Sequence, residues 1–268
     1  MRRNSSKCVM VMLAALLAVS GCASNSANTG TAAGTDSSTA GSPKTTEATE
    51  AAPNAGADSS AIKDLVLPKL ITNELETFNY LQSQSGADTE CLLNLVDGLV
   101  EEDNYGVMKP CIAESWETKD EGLNWTFHIR KGVNWVDSKG EIKAECNAID
   151  FATGLEFILN YHKNNSANTA MPMELIQGAE EYYEYTKALS KEEAQALKMD
   201  TFYEMVGVSV PDDYTITYTC TGKRPYFYTV ARSFCLFPAA TGLLEELGPD
   251  AYKAVNNETM WYNGCYIM

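Results

Sequence analysis

Apolar and polar residues alternate strictly along one short stretch of the chain. Leu123, Trp125, Phe127 and Ile129 are separated by polar residues, the last of which is His128. Because successive side chains of a strand point to opposite faces, this period of two predicts a half-buried β-strand. His128 then lies on the polar face, where a surface histidine is a better interpretation than a ligand or a general base.

A second alternating stretch predicts a β-hairpin. Val206, Val208 and Val210 alternate with other residues, a turn signal follows at 211–213, and alternation resumes over 216–220. Proline and aspartate at the centre are typical of a turn between two strands. A further buried strand is predicted near the start of the folded part, at residues 65–71.

The segment after residue 146 predicts a capped amphipathic helix. Asn147 is a favourable N-cap, and Asp150 three positions later forms a variant of the capping box. The apolar face of this helix comprises Ala148, Phe151, Ala152, Leu155, Ile158 and Leu159. A turn around Gly140 precedes it, so we expect a strand, a turn and a helix that packs on a sheet.

Helical spacing also occurs earlier in the chain. The apolar residues at this spacing are Leu92, Leu95, Val96 and Leu99. Asp88 or Thr89 would cap the N-terminus of this helix, and Gly98 lies near its end.

The first residues have the layout of an export signal. Arg2, Arg3 and Lys7 precede an uncharged apolar run over 9–19. This run is shorter than the about 20 residues that a membrane-spanning helix needs. We therefore expect export and a signal peptide at residues 1–21.

Cys22 follows this signal directly. Val19-Ser20-Gly21-Cys22 resembles the lipobox of bacterial lipoproteins, in which the cysteine is acylated and becomes the new N-terminus. Cys22 is then a lipid anchor that carries palmitate or a related acyl chain. An ordinary signal peptide with a chance cysteine is the alternative.

Residues 23–60 contain no large apolar residue. Such a segment has no core to bury, so we expect a disordered tether over residues 22–60, after the lipidated cysteine. Residues 61–268 would form the folded part.

The charge of the chain excludes one class of partner. Its formal net charge is −16, and removing the three positive residues of the predicted leader takes this to −19. Lys and Arg are scattered, without the basic patch that phosphate backbones require. We therefore expect no nucleic-acid partner.

The cysteines do not form a metal or redox motif. Beyond Cys22 they are Cys91, Cys111, Cys146, Cys220, Cys235 and Cys265. No C-x-x-C pair occurs, which leaves zinc sites and a redox pair unsupported. Free, mostly buried thiols are favoured over disulfides.

No arrangement of residues predicts catalysis. The sequence has no nucleophile elbow, no H-E-x-x-H, no P-loop and no dinucleotide fingerprint. His128 and His162 lack an evident partner. Tyr182, Tyr183 and Tyr185 could form a sugar or peptide platform, but a helix surface is favoured. We expect no catalytic residue, metal site or cofactor, and no enzyme activity.

One segment resembles a known family. The stretch KPCIAESWETKDEGLNWTFHIRKGVNWVDSKGEIKAECNAIDF is similar to the most recognisable part of the family 5 extracellular solute-binding proteins, the oligopeptide-binding receptors of ABC importers. The matching positions are Pro110, Ala113, Trp116, Thr126, Phe127, Ile129, Arg130, Gly132, Val133, Trp135, Ala148, Asp150 and Phe151. YNGCYIM resembles the N-G-P-Y step of the family, with Cys265 in place of the proline.

The resemblance implies a fold. It indicates a mixed α/β (α+β) architecture of the type II periplasmic-binding-protein kind, in which two lobes close on a solute by a hinge motion. Residues 61–268 would supply the first lobe, with a small inserted domain at about 110–200 and with the second lobe missing.

The resemblance also implies a function and a site. It suggests a substrate-binding lipoprotein that captures oligopeptides, or another small solute, and delivers them to the membrane permease of an ABC transporter. We expect a monomer, lipid-anchored to the outer face of the cell membrane, or on the periplasmic side where there are two membranes. The candidate ligand-binding residues are Asp88, Thr89, Glu90 and Met171.

Two other hypotheses stay open. The chain could be a truncated fragment of such a receptor that binds nothing, in which case apolar surface is expected near residues 225–268. A remote alternative is an exported hydrolase with paired carboxylates.

Overall fold

The structure is a computed structural model that describes residues 74–268. The predicted signal peptide, Cys22, the tether over 22–60 and the strand at 65–71 lie outside the described residues. All described residues belong to one compact unit with mixed α/β structure.

A four-stranded antiparallel sheet forms the centre of the fold, with two short hairpins beside it. The strands are β1 (Val100–Glu102), β2 (Met108–Pro110), β3 (Ala113–Glu117), β4 (Asn124–Ile129), β5 (Asn134–Val136), β6 (Ile142–Glu145), β7 (Val208–Asp212) and β8 (Thr215–Thr219). The central sheet has the order β3-β4-β8-β7, and β1 pairs with β2 and β5 with β6.

The helices are α1 (Gly86–Leu92), α2 (Ala148–Leu159), α3 (Ala170–Leu175), α4 (Ala179–Ala188), α5 (Lys191–Gln195), α6 (Met199–Met205), α7 (Phe227–Val230) and α8 (Thr241–Leu247). Helix α2 packs on strands β7 and β8 of this sheet, and other helices pack against α2. Short 3₁₀ turns occur at Phe234–Leu236 and Gly248–Asp250. Over the described residues, no helix is both long and apolar enough to cross a membrane.

The alternating stretch forms β4, as predicted. Trp125, Phe127 and Ile129 are buried, whereas His128 on the opposite face is half-buried. Phe127 packs edge-on against Tyr218 of the neighbouring β8, with ring centroids 6.0 Å apart. β4 therefore contributes one face to the core.

The predicted hairpin is confirmed, but its turn lies later in the chain. Pro211 and Asp212 belong to β7, and the turn is made by Asp213 and Tyr214. Proline fits at this place because β7 is an edge strand, where a missing N–H donor removes no bond from the sheet. The Asp212 carboxylate accepts a hydrogen bond from Tyr214 N at 2.8 Å, which stabilises the turn.

The capping box at the start of α2 is also confirmed. Asn147 Oδ1 accepts from Ile149 N at 2.9 Å, and Asp150 Oδ2 accepts from Asn147 N at 3.2 Å. The six residues of the predicted apolar face are all buried. The helix is enclosed on almost every side, because α4, α6, α8 and the strands β7 and β8 all pack against it.

Gly154 permits a further close contact of α2, with the chain at residues 237–239. A Cβ at this position would lie 2.3 Å from the Phe237 carbonyl oxygen and 3.0 Å from Ala239 N. Both are backbone atoms, which cannot move aside as a flexible side chain can. Glycine is therefore required for the approach of the chain at residues 237–239 to α2.

The helix predicted over Leu92 to Leu99 is wrong in extent. α1 ends at Leu92, although Leu95, Val96 and Leu99 beyond it are buried as expected. The backbone in this region forms hydrogen bonds with the distant segment 263–264. Leu95 O accepts from Gly264 N at 3.1 Å, and Asp97 N donates to Asn263 Oδ1 at 2.9 Å. Tertiary pairing thus replaces the hydrogen bonds that a longer helix would make.

The tyrosine cluster on α4 corrects another prediction. Tyr183 is half-buried and Tyr185 is 40% exposed, but Tyr182 is completely buried. The Tyr182 hydroxyl donates to Glu156 Oε1 at 2.8 Å. Tyr182 is therefore a core residue of the contact between α2 and α4, and only its neighbours lie at the surface.

The six cysteines among the described residues are free thiols. Cys146, Cys220 and Cys235 are buried, while Cys265 is exposed. Burial raises the pKa of Cys235 to about 12. At neutral pH this group is a protonated, unreactive thiol.

Candidate functional site

A groove of about 450 Å³ lies between α1, α3 and the segment that follows α7. We call it the α1–α3 groove. It is lined by Ser83, Gln84, Thr89, Leu93, Asn168, Ala170, Met171, Arg232, Ser233, Phe234 and Cys235. Side chains from three separate parts of the chain therefore meet here.

Hydrogen bonds fix two of these parts to each other. Asn168 Nδ2 donates to Tyr80 O at 3.3 Å and to Ser83 O at 3.2 Å. Gln84 Nε2 donates to Ala167 O at 2.7 Å. The loop before α1 and the loop before α3 are thus joined by side-chain to backbone bonds, which hold one wall of the groove in place.

The structure places Thr89 and Met171 in this groove. Thr89 is half-buried on α1, and Met171 on α3 is 44% exposed. They are far apart in sequence, and the joined loops bring them to one surface. Leu93 adds a second apolar side chain that is 48% exposed. The two predicted residues therefore share one site, and their contact with a ligand stays a prediction.

Asp88 lies elsewhere. It is completely buried, and its carboxylate accepts hydrogen bonds from Glu76 N at 2.9 Å and from the Ser83 hydroxyl at 2.7 Å. It is not the helix cap either, because the N-cap of α1 is Ser85. Asp88 is placed to fix the chain before α1 rather than to meet a ligand.

Glu90 is exposed on α1 and lies outside the lining of the groove. It lies next to Thr89, which lines the groove. Its role in ligand binding stays a prediction.

Sequence reasoning missed Arg232. Its side chain is 52% exposed, and Nη1 lies 2.5 Å from Glu102 Oε2. Arg232 brings a positive charge to a groove that otherwise has neutral walls. The signal in the sequence is a single charged residue within the apolar run around VARSFCLF.

The groove has the features of a binding site and lacks those of a catalytic one. Cys235 lines it, but burial raises the pKa of this thiol to about 12, and neither histidine of the chain lines the groove. Across residues 74–268, no group of three or more His, Cys, Asp and Glu side chains could hold a metal ion. Amide, hydroxyl and apolar side chains around a surface groove suit the recognition of an extended ligand.

Comparison with known sequences identifies related proteins. The family model described as bacterial extracellular solute-binding proteins, family 5 Middle, matches residues 107–268. The chain is 31% identical over 220 residues to the oligopeptide-binding protein AmiA of Streptococcus pneumoniae, which covers 80% of this chain and 31% of that protein. It is 29% identical over 195 residues to the periplasmic oligopeptide-binding protein OppA of Haemophilus influenzae, covering 72% and 32%.

Solved structures agree with this result. A crystal structure of Haemophilus influenzae OppA with the peptide RPPGFSPFR matches with a TM-score of 0.57 and 26% identity, over 72% of this chain and 34% of that one. The substrate-binding domain of an oligopeptide ABC transporter from Bacillus anthracis matches in fold, with a TM-score of 0.59 and 24% identity over 74% and 34%. The chain spans about a third of the length of the relatives that it matches.

Proposed function

The chain belongs to family 5 of the bacterial extracellular solute-binding proteins, and on this premise we propose that it acts as a receptor that binds oligopeptides and delivers them to an ABC permease. The family and the similar proteins are substrate-binding proteins rather than enzymes. The relatives named above are oligopeptide-binding proteins. Peptide is therefore the solute that the comparisons favour.

The observation that supports this proposal most directly is the α1–α3 groove. Extended peptides are commonly held through main-chain hydrogen bonds, with tolerant pockets for their side chains. Gln84 and Asn168 supply amide groups, while Met171 and Leu93 supply exposed apolar contacts. Such a surface suits peptides of varied sequence. Arg232 pairs with Glu102 through Nη1, and the other N–H donors of its guanidinium are the ones that would meet a carboxylate of the peptide.

The test is thermal unfolding of the full chain with and without a mixed peptide library. Binding to the native state raises its stability, by about 2.7 kcal/mol at a hundredfold excess over the dissociation constant. We expect the transition to shift upward with peptide. Substitution Met171→Trp, which fills the groove, should reduce the shift.

Ile142→Trp is the matched control. Ile142 lies on β6, is 67% exposed and does not line the groove. This variant should keep the full shift. Loss of the shift in both variants, or in neither, would contradict the assignment of peptide to the α1–α3 groove.

A fragment that binds nothing alone is the second candidate. Exposed apolar side chains occur where that hypothesis expects them, at Tyr226, Val255, Tyr266, Ile267 and Met268. The same experiment separates the two proposals, because a transition that no peptide moves would favour the fragment.

We further propose that Cys22 anchors the protein to the outer face of the cell membrane. The lipobox-like sequence before it supports this placement. Substitution Cys22→Ala should move the chain from the membrane fraction to the soluble fraction and abolish labelling with a palmitate analogue. Cys8→Ala, within the predicted leader, is the control and should leave both unchanged.

A further inference from the structure

A second cavity, of about 300 Å³, lies between α2, α6 and α8. We call it the α2–α8 cavity. It shares no lining residue with the α1–α3 groove. The lining residues that matter here are Glu156, Phe157, Lys163, Met199, Leu244 and Glu245. The cavity is at the small end of the range found for ligand sites.

Glu156 is the central polar group of this cavity. The residue is only 3% exposed. Its Oε1 accepts hydrogen bonds from Asn160 Nδ2 at 3.1 Å, Lys163 Nζ at 2.9 Å and Tyr182 OH at 2.8 Å. All three donors bind the same oxygen atom. Within residues 74–268, Oε2 receives no hydrogen bond.

Oε2 keeps contact with the open space of the cavity, so it is not one of the fully buried polar atoms left without a partner. Each oxygen of an ionised carboxylate has about two acceptor positions, so Oε2 keeps its capacity for a donor. Because Glu156 lines the cavity, its Oε2 is the atom that an entering hydrogen-bond donor can reach. The carboxylate of Glu156 is therefore held on Oε1 by protein donors and open to a ligand on Oε2.

The charges around the cavity favour a positive ligand. Lys163 Nζ is occupied by Glu156 Oε1 and by Leu197 O at 3.3 Å. Glu245, exposed at the rim, adds a negative charge that no residue lining the cavity balances. An ammonium group would neutralise this excess and supply charge-assisted hydrogen bonds.

The walls of the cavity favour an apolar body on that ligand. Phe157 is buried, and Met199 and Leu244 are partly exposed toward the open side. We propose that the α2–α8 cavity binds a small organic amine, whose ammonium group donates to Glu156 Oε2 while its apolar body packs against these three side chains. This site is independent of the peptide groove proposed above.

Titration of the full chain with 2-phenylethylamine tests the proposal. Calorimetry at pH 7 should show saturable binding. The neutral isostere 2-phenylethanol should bind at least about tenfold more weakly, since a tenfold loss corresponds to about 1.4 kcal/mol. Absence of saturable amine binding, or equal affinity for amine and alcohol, would overturn the proposal.

Two substitutions locate the site. Leu244→Trp fills the cavity and should reduce amine affinity at least about tenfold, whereas Met171→Trp in the α1–α3 groove should leave it unchanged. If Leu244→Trp does not fold, as judged by circular dichroism, Glu245→Gln replaces it. That variant should weaken amine binding about twofold to threefold through the lost rim charge. Unchanged affinity in the folded cavity variant would refute the assignment, even if peptide binding to the groove is intact.

Discussion

The two ends of α2 each carry a buried carboxylate, and the two are satisfied in different ways. Asp150 near the first turn uses both oxygens: Oδ1 accepts from Thr241 N at 3.0 Å and from its hydroxyl at 2.6 Å, while Oδ2 accepts from Trp135 Nε1 at 2.8 Å and from Asn147 N at 3.2 Å. Glu156 near the last turn accepts on one oxygen only. Burial is the same within a few per cent, since the two residues are 4% and 3% exposed.

The difference distinguishes a structural carboxylate, Asp150, from a carboxylate that can still accept a ligand, Glu156. The donors to Asp150 come from the β5–β6 hairpin region, the N-cap of α2 and the start of α8, so its carboxylate fixes three elements at one point. With four donors it has no capacity for a ligand. Glu156 has that capacity on Oε2. The number of donors on each carboxylate oxygen thus distinguishes Asp150 from Glu156, although their burial is nearly the same.

Removal of the Asp150 carboxylate should have the largest effect on stability. We expect Asp150→Ala to lower the free energy of unfolding by about 3 to 5 kcal/mol, because it leaves four donors without their acceptor in the core. Urea denaturation followed by circular dichroism measures this change. Glu181→Ala, at an exposed position of α4, is the control and should stay within about 0.5 kcal/mol of the original protein. Equal effects of the two substitutions would remove the basis of the comparison.

A change at the other end of the helix should have a smaller effect. Glu156→Gln keeps one oxygen acceptor for Tyr182 and Asn160 but loses the charge that pairs with Lys163. Because the Lys163 side chain is 21% exposed, its ammonium group can regain contact with water. We expect a loss of about 2 kcal/mol in the same urea assay. A loss larger than that of Asp150→Ala would reverse the order of the two sites.

The smallest effect concerns pH. Burial raises the pKa of Asp150 above its ordinary value of 3.8, and hydrogen bonds from Thr241 and Trp135 oppose this shift only in part. The folded chain therefore holds this proton more tightly than the unfolded chain. The resulting stability is fully present below the unfolded pKa and is lost as pH rises through the folded pKa.

Asp150→Asn removes this titration. We expect the unfolding free energy of the original protein, minus that of Asp150→Asn, to decrease as pH rises above about 4. Urea denaturation at a series of pH values measures it. A difference that widens over this range would show that the hydrogen bonds outweigh burial at Asp150.

The sequence predicted the parts of the fold that depend on local pattern. The alternation around Phe127 and the capping box of Asn147 and Asp150 need only neighbouring residues, and both are present. The extent of α1 could not be predicted, because residues 263–266 form hydrogen bonds with backbone groups that a longer helix would have paired internally. For the same reason the local pattern favours a surface position for Tyr182, since its partner Glu156 comes from another helix.

The candidate site shows a similar limit. Thr89 and Met171 could be chosen from the resemblance to the family, but not the hydrogen bonds that bring their two loops together. The position of Asp88 in the loop before the helix favours it as a ligand residue, yet Ser83 and the backbone of Glu76 already donate hydrogen bonds to its two oxygens. Arg232 reaches the groove from a segment that carries no recognisable motif. Which side chains share a groove is decided by pairing between distant loops, and a single sequence does not encode that pairing in a local pattern.

The order β3-β4-β8-β7 also governs how quickly the sheet can form. Thr126 on β4 and Thr217 on β8 hydrogen-bond across a separation of 91 residues. During synthesis β3 and β4 can form a hairpin early, but the second edge of β4 waits until β8 has left the ribosome. Long-range pairing of this kind slows folding, because closing the loop loses chain entropy before any contact compensates for it. In that interval β4 exposes an unpaired edge and the apolar face of Trp125, Phe127 and Ile129, so a nascent chain is most prone to associate with other chains before β8 is added.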